Sequence, residues 1–460
     1  MRWTFFLSLL LIAGRANAQE NQLQADFRGE HDRFVASCTS LKALAGCAQV
    51  LFTDHPLHIA VGSVAPQNGF GAGPAFVSHY TPSEDWRLTW DVDAVGTANG
   101  SWRAGAYMKV IHTPVQTIHV QVGGPARHKS NLAVHEYTLF NVYAQAISLD
   151  KLYFFGLGPS TERAGRSVFR ERETIVGANA VIPVFQPLNI SLLGELNGRL
   201  PDVAGNHHES DPSIEKLYTN AAAPGLSSQP AFLQLGEGLR IRPVLFGDHL
   251  QLNYLANFQQ YVAPSDSTYS FRRFTADLVH TIPLYKNTVS YAPRDTNGPD
   301  ECADAPGAKC PPVSVSRNNT GSIGVRLLIS ESIASAGSMV PFYFQPTLGG
   351  SDVNGASYLG SFEDYRFRAP NVLLLRENIE HSVWGPFGAT FMVDEGKVAL
   401  NRGDVSFDHL AHSFSAGLTL RAGGLPMVSL MFSWGGHEGT HTTANVNTSL
   451  LGGSQRPSVF

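Results

Sequence analysis

His437-Glu438-Gly439-Thr440-His441 is a literal H-E-x-x-H. On a helix that spacing puts two imidazoles on one face, where they share a zinc ion through ~2.0 Å bonds beside a glutamate base. The surroundings argue against that chemistry. The motif follows the alternating run Val428 to Trp434 and two glycines, it precedes another alternating run, and Gly439 with its threonine neighbours is poor helix material. On an extended chain the two histidines stand ~13 Å apart, so the motif reads as a loop. Other candidates fare no better. Gly69-Phe70-Gly71-Ala72-Gly73 lacks the glycine spacing and βαβ context of a nucleotide loop, and no G-x-S-x-G hydrolase elbow occurs. His207-His208-Glu209 lies in a polar stretch with no neighbouring ligand set, and Arg402-Gly403-Asp404 is explained by a polar loop between strands. Arg163, Arg166, Arg170 and Arg172, interleaved with Glu162, Glu171 and Glu173, read as a solvated or lumen-facing strip and not as a lipid-A site. The expectation is a chain that is not an enzyme and holds no metal or cofactor.

The first segment sets the compartment. Met1 to Ala18 carries Arg2, an apolar stretch from Phe5 to Gly14, and Ala16-Asn17-Ala18, the layout of a cleaved secretory signal. The four cysteines fall into two close pairs, Cys38 with Cys47 and Cys302 with Cys310. In an exported chain such pairs read as two local disulfides, each pinning a loop, although three connectivities are formally open. The net charge of -5 offers no basic excess for nucleic acid.

The elements that must carry these residues follow from composition and period. Hydrophobic residues make up 43% of the 460 and charged ones only 15%, against about 25% in an average soluble domain. Yet past the leader no apolar run approaches the ~18 residues of a membrane helix. Alternation reconciles the two facts, because successive side chains of a strand point to opposite faces. Trp86, Leu88, Trp90, Val92 and Ala94 alternate with Arg87, Thr89, Asp91 and Asp93, and similar runs span 250–259, 273–282 and 413–421. Looser ones span 101–111, 116–123, 134–149, 172–184, 188–198, 231–243, 321–330, 371–384, 387–399, 427–434 and 442–450. With the stretch 57–80 the tally is about sixteen strands. Tight connections at 184–187, 384–386 and 422–426 contrast with long polar ones at 200–230, 285–318 and 348–370, the asymmetry of an outer-membrane barrel. The expected fold is therefore all-β: a transmembrane antiparallel β-barrel over 57–460, preceded by a disulfide-closed segment, 19–56, with a short helix or plug around Asp26–Leu51.

More specific residues lie in the C-terminal third. Val340-Pro341-Phe342-Tyr343-Phe344-Gln345-Pro346-Thr347-Leu348-Gly349-Gly350-Ser351-Asp352, followed by Ser361-Phe362 and Tyr365-Arg366-Phe367-Arg368, resembles a strand and the long inward-folded loop of the bacterial surface antigen superfamily, the BamA/TamA-like outer-membrane barrels. Asp394-Glu395-Gly396-Lys397-Val398 resembles that family's D-x-G-x-V strand, and Phe155-Gly156-Leu157-Gly158 its aromatic-G-x-G loop. The final Phe460 resembles the terminal aromatic of barrels recognised for insertion. Members that assemble or export proteins carry POTRA repeats ahead of the barrel, and Gln19 to Pro56 is too short for one, so the resemblance is to a barrel-only branch.

The resemblance implies an internal network of Phe362, Arg366, Arg368, Asp394, Glu395 and Gly396. In the family an Arg of a V/I/L-R-G-F motif in the loop reaches the strand Asp. Here the motif reads Leu359-Gly360-Ser361-Phe362, with glycine at the Arg position and Asp394 retained. Asn378 and Glu380 likewise stand where the family shows Glu and Arg. A buried carboxylate without a cation is costly, so Arg366 or Arg368 is expected to pair with Asp394 or Glu395. The implied function is assistance to the insertion or passage of proteins or lipids, with outer-membrane lipid and client polypeptides or barrel-assembly machinery as partners. The competing expectations are a passive pore or structural surface barrel without a client, and a secreted soluble β protein.

Overall fold

The computed structural model describes Arg28, Asp32 and residues 56–113, 136–291 and 315–446, apart from Glu84, Asp248, Gly385, Gly423 and Gly424. The leader 1–18, all four cysteines, Phe460, the expected strand 116–123 and nearly all of 19–56 lie outside the described residues. Among those described, no helix is long and apolar enough to cross a membrane.

Sixteen long strands follow one another: β1 (Leu57–Ser63), β2 (Phe70–Ser83), β3 (Trp86–Thr97), β4 (Trp102–His112), β5 (Thr138–Phe154), β6 (Ser167–Phe185), β7 (Ile190–Gly205), β8 (Phe232–Ile241), β9 (Leu250–Val262), β10 (Phe271–Tyr291), β11 (Val315–Ala334), β12 (Asn371–Trp384), β13 (Phe387–Ala399), β14 (Ala411–Ala422), β15 (Leu425–Trp434) and β16 (His441–Val446). Each pairs antiparallel with the next, from β1 with β2 through to β15 with β16. A sheet in which every neighbour in space is a neighbour in sequence is an up-and-down meander. Its two ends, β1 and β16, come to lie beside each other. Among the described residues no register of paired residues joins them.

The burial pattern is inverted relative to a soluble sandwich. Along β7 the inward set includes Ser191, Glu195, Asn197 and Arg199, all buried, while Leu192, Leu196 and Leu200 are 48%, 50% and 59% exposed. Trp86, Trp90, Val142, Val176, Phe274, Ile379, Leu418, Leu430 and Phe432 continue the exposed apolar face around the sheet. Water would penalise such a belt at ~25 cal/mol per Å² of apolar surface, whereas lipid removes the penalty, and a polar interior with an apolar exterior is the pattern of a membrane barrel.

Outward charges interrupt the belt, among them Glu237 between Leu235 and Leu239 on β8 and Glu377 on β12. Glu377 sits midway along β12, between Leu375 and Ile379 on its own face and opposite Val325 and Val393 on the flanking strands. Glu377→Leu is expected to stabilise the lipid-embedded barrel by about 1–2 kcal/mol. Urea unfolding in phospholipid vesicles reads this directly, and an unmoved or lowered midpoint refutes it.

Parity gives the barrel two ends. Ser83–Trp86, Phe185–Ile190, Trp384–Phe387 and Ala422–Leu425 are tight turns at the end where β1 begins and β16 finishes, and connections 155–166, 206–231, 335–370 and 400–410 gather at the other. The expected asymmetry needs one correction. Connection 285–318 joins β10 to β11 and so belongs to the tight-turn end, and its two ends are strand, because β10 runs to Tyr291 and β11 starts at Val315. Several strands also overrun their expected limits towards the long-loop end. β5 continues to Phe154 and β6 starts at Ser167, because Leu149, Leu152, Phe154 and Phe169 pack there into an apolar core, where period-two alternation ceases to mark a strand.

Candidate functional site

The connection between β11 and β12 folds into the barrel and forms a plug. It opens with a 3-10 turn, Phe342–Phe344, and closes on a two-residue ladder that pairs Thr347 with Arg368 and Leu348 with Phe367. Phe342 is fully buried, its ring 5.1 Å from those of Phe154 and Phe169, while Phe344 lies 4.9 Å from Phe232. A second apolar cluster joins Leu348, Leu359, Phe362 and Phe367 to Val372, Leu374 and Val398 of the wall. These rings are what hold so long an excursion in one conformation. At its tightest point Gly349 has φ +97°, and a Cβ there would stand 2.4 Å from that of Arg366, so only glycine fits.

Buried charge pins the plug to the wall. Asp394 on β13 accepts from Arg376 Nε at 2.6 Å and Nη2 at 2.8 Å, and from the Leu359 backbone N–H at 2.8 Å. Arg376 Nη2 also donates to the Ser357 carbonyl. The expected pairing is therefore corrected: neither Arg366 nor Arg368 is the partner of Asp394. Arg376 is its register partner on the adjacent strand, a relation set by strand pairing and invisible in linear spacing. Gly360, at the position of the family's motif arginine, is crowded. A Cβ there would meet Ser433 Oγ at 2.5 Å, so even alanine would require that hydroxyl to turn away. Glu395 is exposed, opposite His412 on the outward face, and takes no part. Gly396 faces inward, and a Cβ on it would lie 3.1 Å from Leu348 Cδ1, so its smallness lets the plug approach.

Arg366 has a different task. It is 1% exposed, ion-paired with Glu438, and it donates from Nη1 to Thr161 Oγ1 at 2.7 Å and from Nη2 to the Thr161 carbonyl at 2.6 Å. The glutamate of the H-E-x-x-H sequence is thus an anchor for the plug. The loop reading of that motif agrees with the structure, where His437 is exposed and His441 opens β16. Arg368 donates to the Phe342 carbonyl at 2.8 Å and lies against the Phe169 and Phe342 rings. Burial pulls its guanidinium down to about 10, against the opposing fields of Glu171 and Tyr365, so it stays cationic at neutral pH. Phe362 stacks edge-on against Phe367 at 5.1 Å and His437 at 5.2 Å.

Other contacts were not legible beforehand. Glu363 pairs with Arg163 at 2.5 Å and Arg166 at 3.1 Å, and Arg166 also reaches Asp211 at 2.8 Å. Burial opposes the Arg166 charge, but the hydrogen bonds to Asp211 and Glu363 outweigh it and hold the guanidinium above its usual value. Half of the basic strip therefore clamps the plug, while Arg172 is exposed on the outward face. Arg326 pairs with Asp277 at 2.8 Å and donates to Tyr358 Oη at 3.1 Å. Arg402 reaches Glu331 at 2.9 Å, which ties the R-G-D tripeptide back to β11. His207 meets Glu215, not a metal-ligand set, and no three His, Cys, Asp or Glu side chains converge as metal ligands among the described residues.

The plug also straddles the seam. On one side Asp364 Oδ2 accepts from Gln67 Nε2 at 2.6 Å, and Tyr365 Oη donates to the Pro66 carbonyl at 3.1 Å, both in the β1–β2 turn. On the other, Ser361 Oγ accepts from the Gly436 N–H at 3.0 Å and Arg366 holds Glu438, both between β15 and β16. Six consecutive residues, Ser361 to Arg366, grip both hairpins that flank the seam.

Among the described residues, a sixteen-strand meander with a polar interior, an apolar exterior and an inward-folded plug is the architecture of a membrane β-barrel. Solved structures of similar fold include CdiB from Acinetobacter baumannii (12% identity, 85% of this chain and 59% of that one, TM-score 0.43). BamA from Haemophilus ducreyi lacking POTRA domains 1-3 (10%, 85% and 69%, 0.47) and CdiB from Escherichia coli (12%, 85% and 62%, 0.48) are two more. The chain thus spans about three fifths of either CdiB. No family model and no curated protein matches the sequence.

Proposed function

We propose that this barrel lies in the bacterial outer membrane and assists the insertion or passage of other polypeptides through a non-enzymatic route, with the plug as latch and the β1–β16 seam as the working edge. The observation that carries this reading is the seam held by the plug. An edge strand offers a row of N–H and C=O groups to any incoming strand, which proteins normally cover or pair. Here β1 is short and has its ladder with β2 alone among the described residues, and Ser361 to Arg366 tie the hairpins on either side. A passive pore has no need of such a strap and would leave its mouth open. Liposome reconstitution separates the two. The proposal expects several-fold faster insertion of a second outer-membrane barrel and little steady conductance, whereas an open channel with no effect on insertion overturns it.

A further inference from the structure

The wall has a window beside the plug. The β13–β14 ladder ends where Gly396 faces Ala411, although β13 runs on to Ala399, and a cavity of about 420 Å³ opens in the gap. That volume falls within the ~300–1,000 Å³ of small-molecule sites. Its apolar side is formed by Phe362, Phe367, Val398 and Leu410. Around it stand Lys397, His409, His412 and His437, each bearing N–H donors. Lys397 Nζ donates to Ser406 Oγ at 3.1 Å and the Asp408 carbonyl at 3.0 Å, which among the described residues leaves one of its three protons uncommitted. Of the nearby carboxylates, Glu438 is neutralised by Arg366, and Glu395, although it shares the outward face with His412, does not line the cavity. The histidines do not converge as metal ligands would.

We infer that the window binds a single anionic amphiphile, a carboxylate or phosphate head carrying an acyl-like chain. An apolar floor under a ring of cationic and N–H-donating groups rewards both halves of such a molecule. A neutral alkane would leave the rim donors unused, and a bare anion would leave the rings of Phe362 and Phe367 wet. Phe362 carries His437 on its edge and Glu438 follows directly, so the ligand would sit against the anchor of Arg366. The inference stands on the cavity alone and does not depend on a role in polypeptide insertion.

The test uses the full chain in nanodiscs of zwitterionic lipid, with dansylaminoundecanoic acid as fluorescent probe. Saturable binding is expected, with displacement by dodecanoate or dodecyl phosphate and at least ten-fold weaker displacement by dodecanol. If phosphatidylglycerol built into the disc also displaces the probe, the membrane is the source; if only dissolved amphiphiles do, the aqueous phase is. Lys397→Gln and His437→Ala should each weaken the probe about five-fold, and Leu410→Trp, which fills the cavity, should abolish binding. Should these variants misfold, the displacement profile of the unaltered chain still decides. Equal displacement by dodecanol, displacement by inorganic phosphate alone, or probe uptake that never saturates overturns the inference.

Discussion

Asp394→Ala is expected to cost about 2–4 kcal/mol and to free the plug, because it strands a half-buried guanidinium and leaves the Leu359 N–H without its acceptor. Arg376 points from β12 into the lumen and has two hydrogen bonds to Asp394 and one to the Ser357 carbonyl. With Asp394 gone, the remaining half-buried cation keeps the Ser357 carbonyl and the face of the Tyr358 ring but no counter-charge. Two measurements follow. The urea midpoint of the folded barrel should fall, and single-channel recordings should show large openings absent from the parent. The double variant Asp394→Ala/Arg376→Met removes both charges at similar volume and should recover most of the stability, giving a coupling energy of ~2 kcal/mol or more in the cycle. If the single and double variants unfold alike, the pair is not what pins the plug.

Arg366→Ala should act at the seam. Its guanidinium joins three partners in fixed directions, Glu438 and both the hydroxyl and carbonyl of Thr161, and lies 5.0 Å and 4.7 Å from the ring centres of Phe155 and Phe367. Removal leaves the Glu438 carboxylate, 4% exposed, with only the exposed His437 imidazole 3.9 Å away, a loss of about 3–5 kcal/mol. The expected consequence is release of the β15–β16 hairpin, read as new proteolytic cleavage between residues 434 and 441 while the rest of the barrel resists. Arg366→Lys should recover less than half of the loss, since an ammonium cannot reproduce the planar fork that meets all three acceptors. Glu438→Gln in the Arg366→Ala background should restore protection by removing the orphaned charge. Cleavage unchanged in Arg366→Ala would mean that the hairpin is held by its strand pairing and not by the plug.

Both expectations rest on residues that differ in how visible they were. Arg366 stands out from its place in the Tyr365-Arg366-Phe367-Arg368 run, yet linear spacing does not reveal its partner, because Glu438 belongs to a hairpin 72 residues away. Arg376 stood in plain view as an inward charge of an alternating strand. Its partnership with Asp394 needed the register of β12 against β13, and register is fixed by which face of each strand meets lipid and by the turn at 384–387, not by the motif itself. Gly360 is the clearest case. Its occurrence in place of an arginine is evident in the sequence, but that even a Cβ would crowd the site follows from Ser433 and Ser415 of two other strands.

By itself the sequence determined the barrel. Period-two alternation is a local property, so Asn371–Trp384 and Phe387–Ala399 could be bounded to the residue, and the inversion of apolar and polar faces followed from which set held the charges. Where both faces are packed, as at the ends of β5 and β6, that signal vanished. Only the tertiary structure decided how the plug is held: Asp394 to Arg376, Arg366 to Glu438, and Asp364 to Gln67. The physical reason is range. Alternation is set by the chirality and pleat of consecutive residues, whereas an ion pair in a lumen depends on strands and loops far apart in the chain arriving at one place. In a residue string the H-E-x-x-H of the last hairpin suggests a metal site. In space its glutamate is a latch.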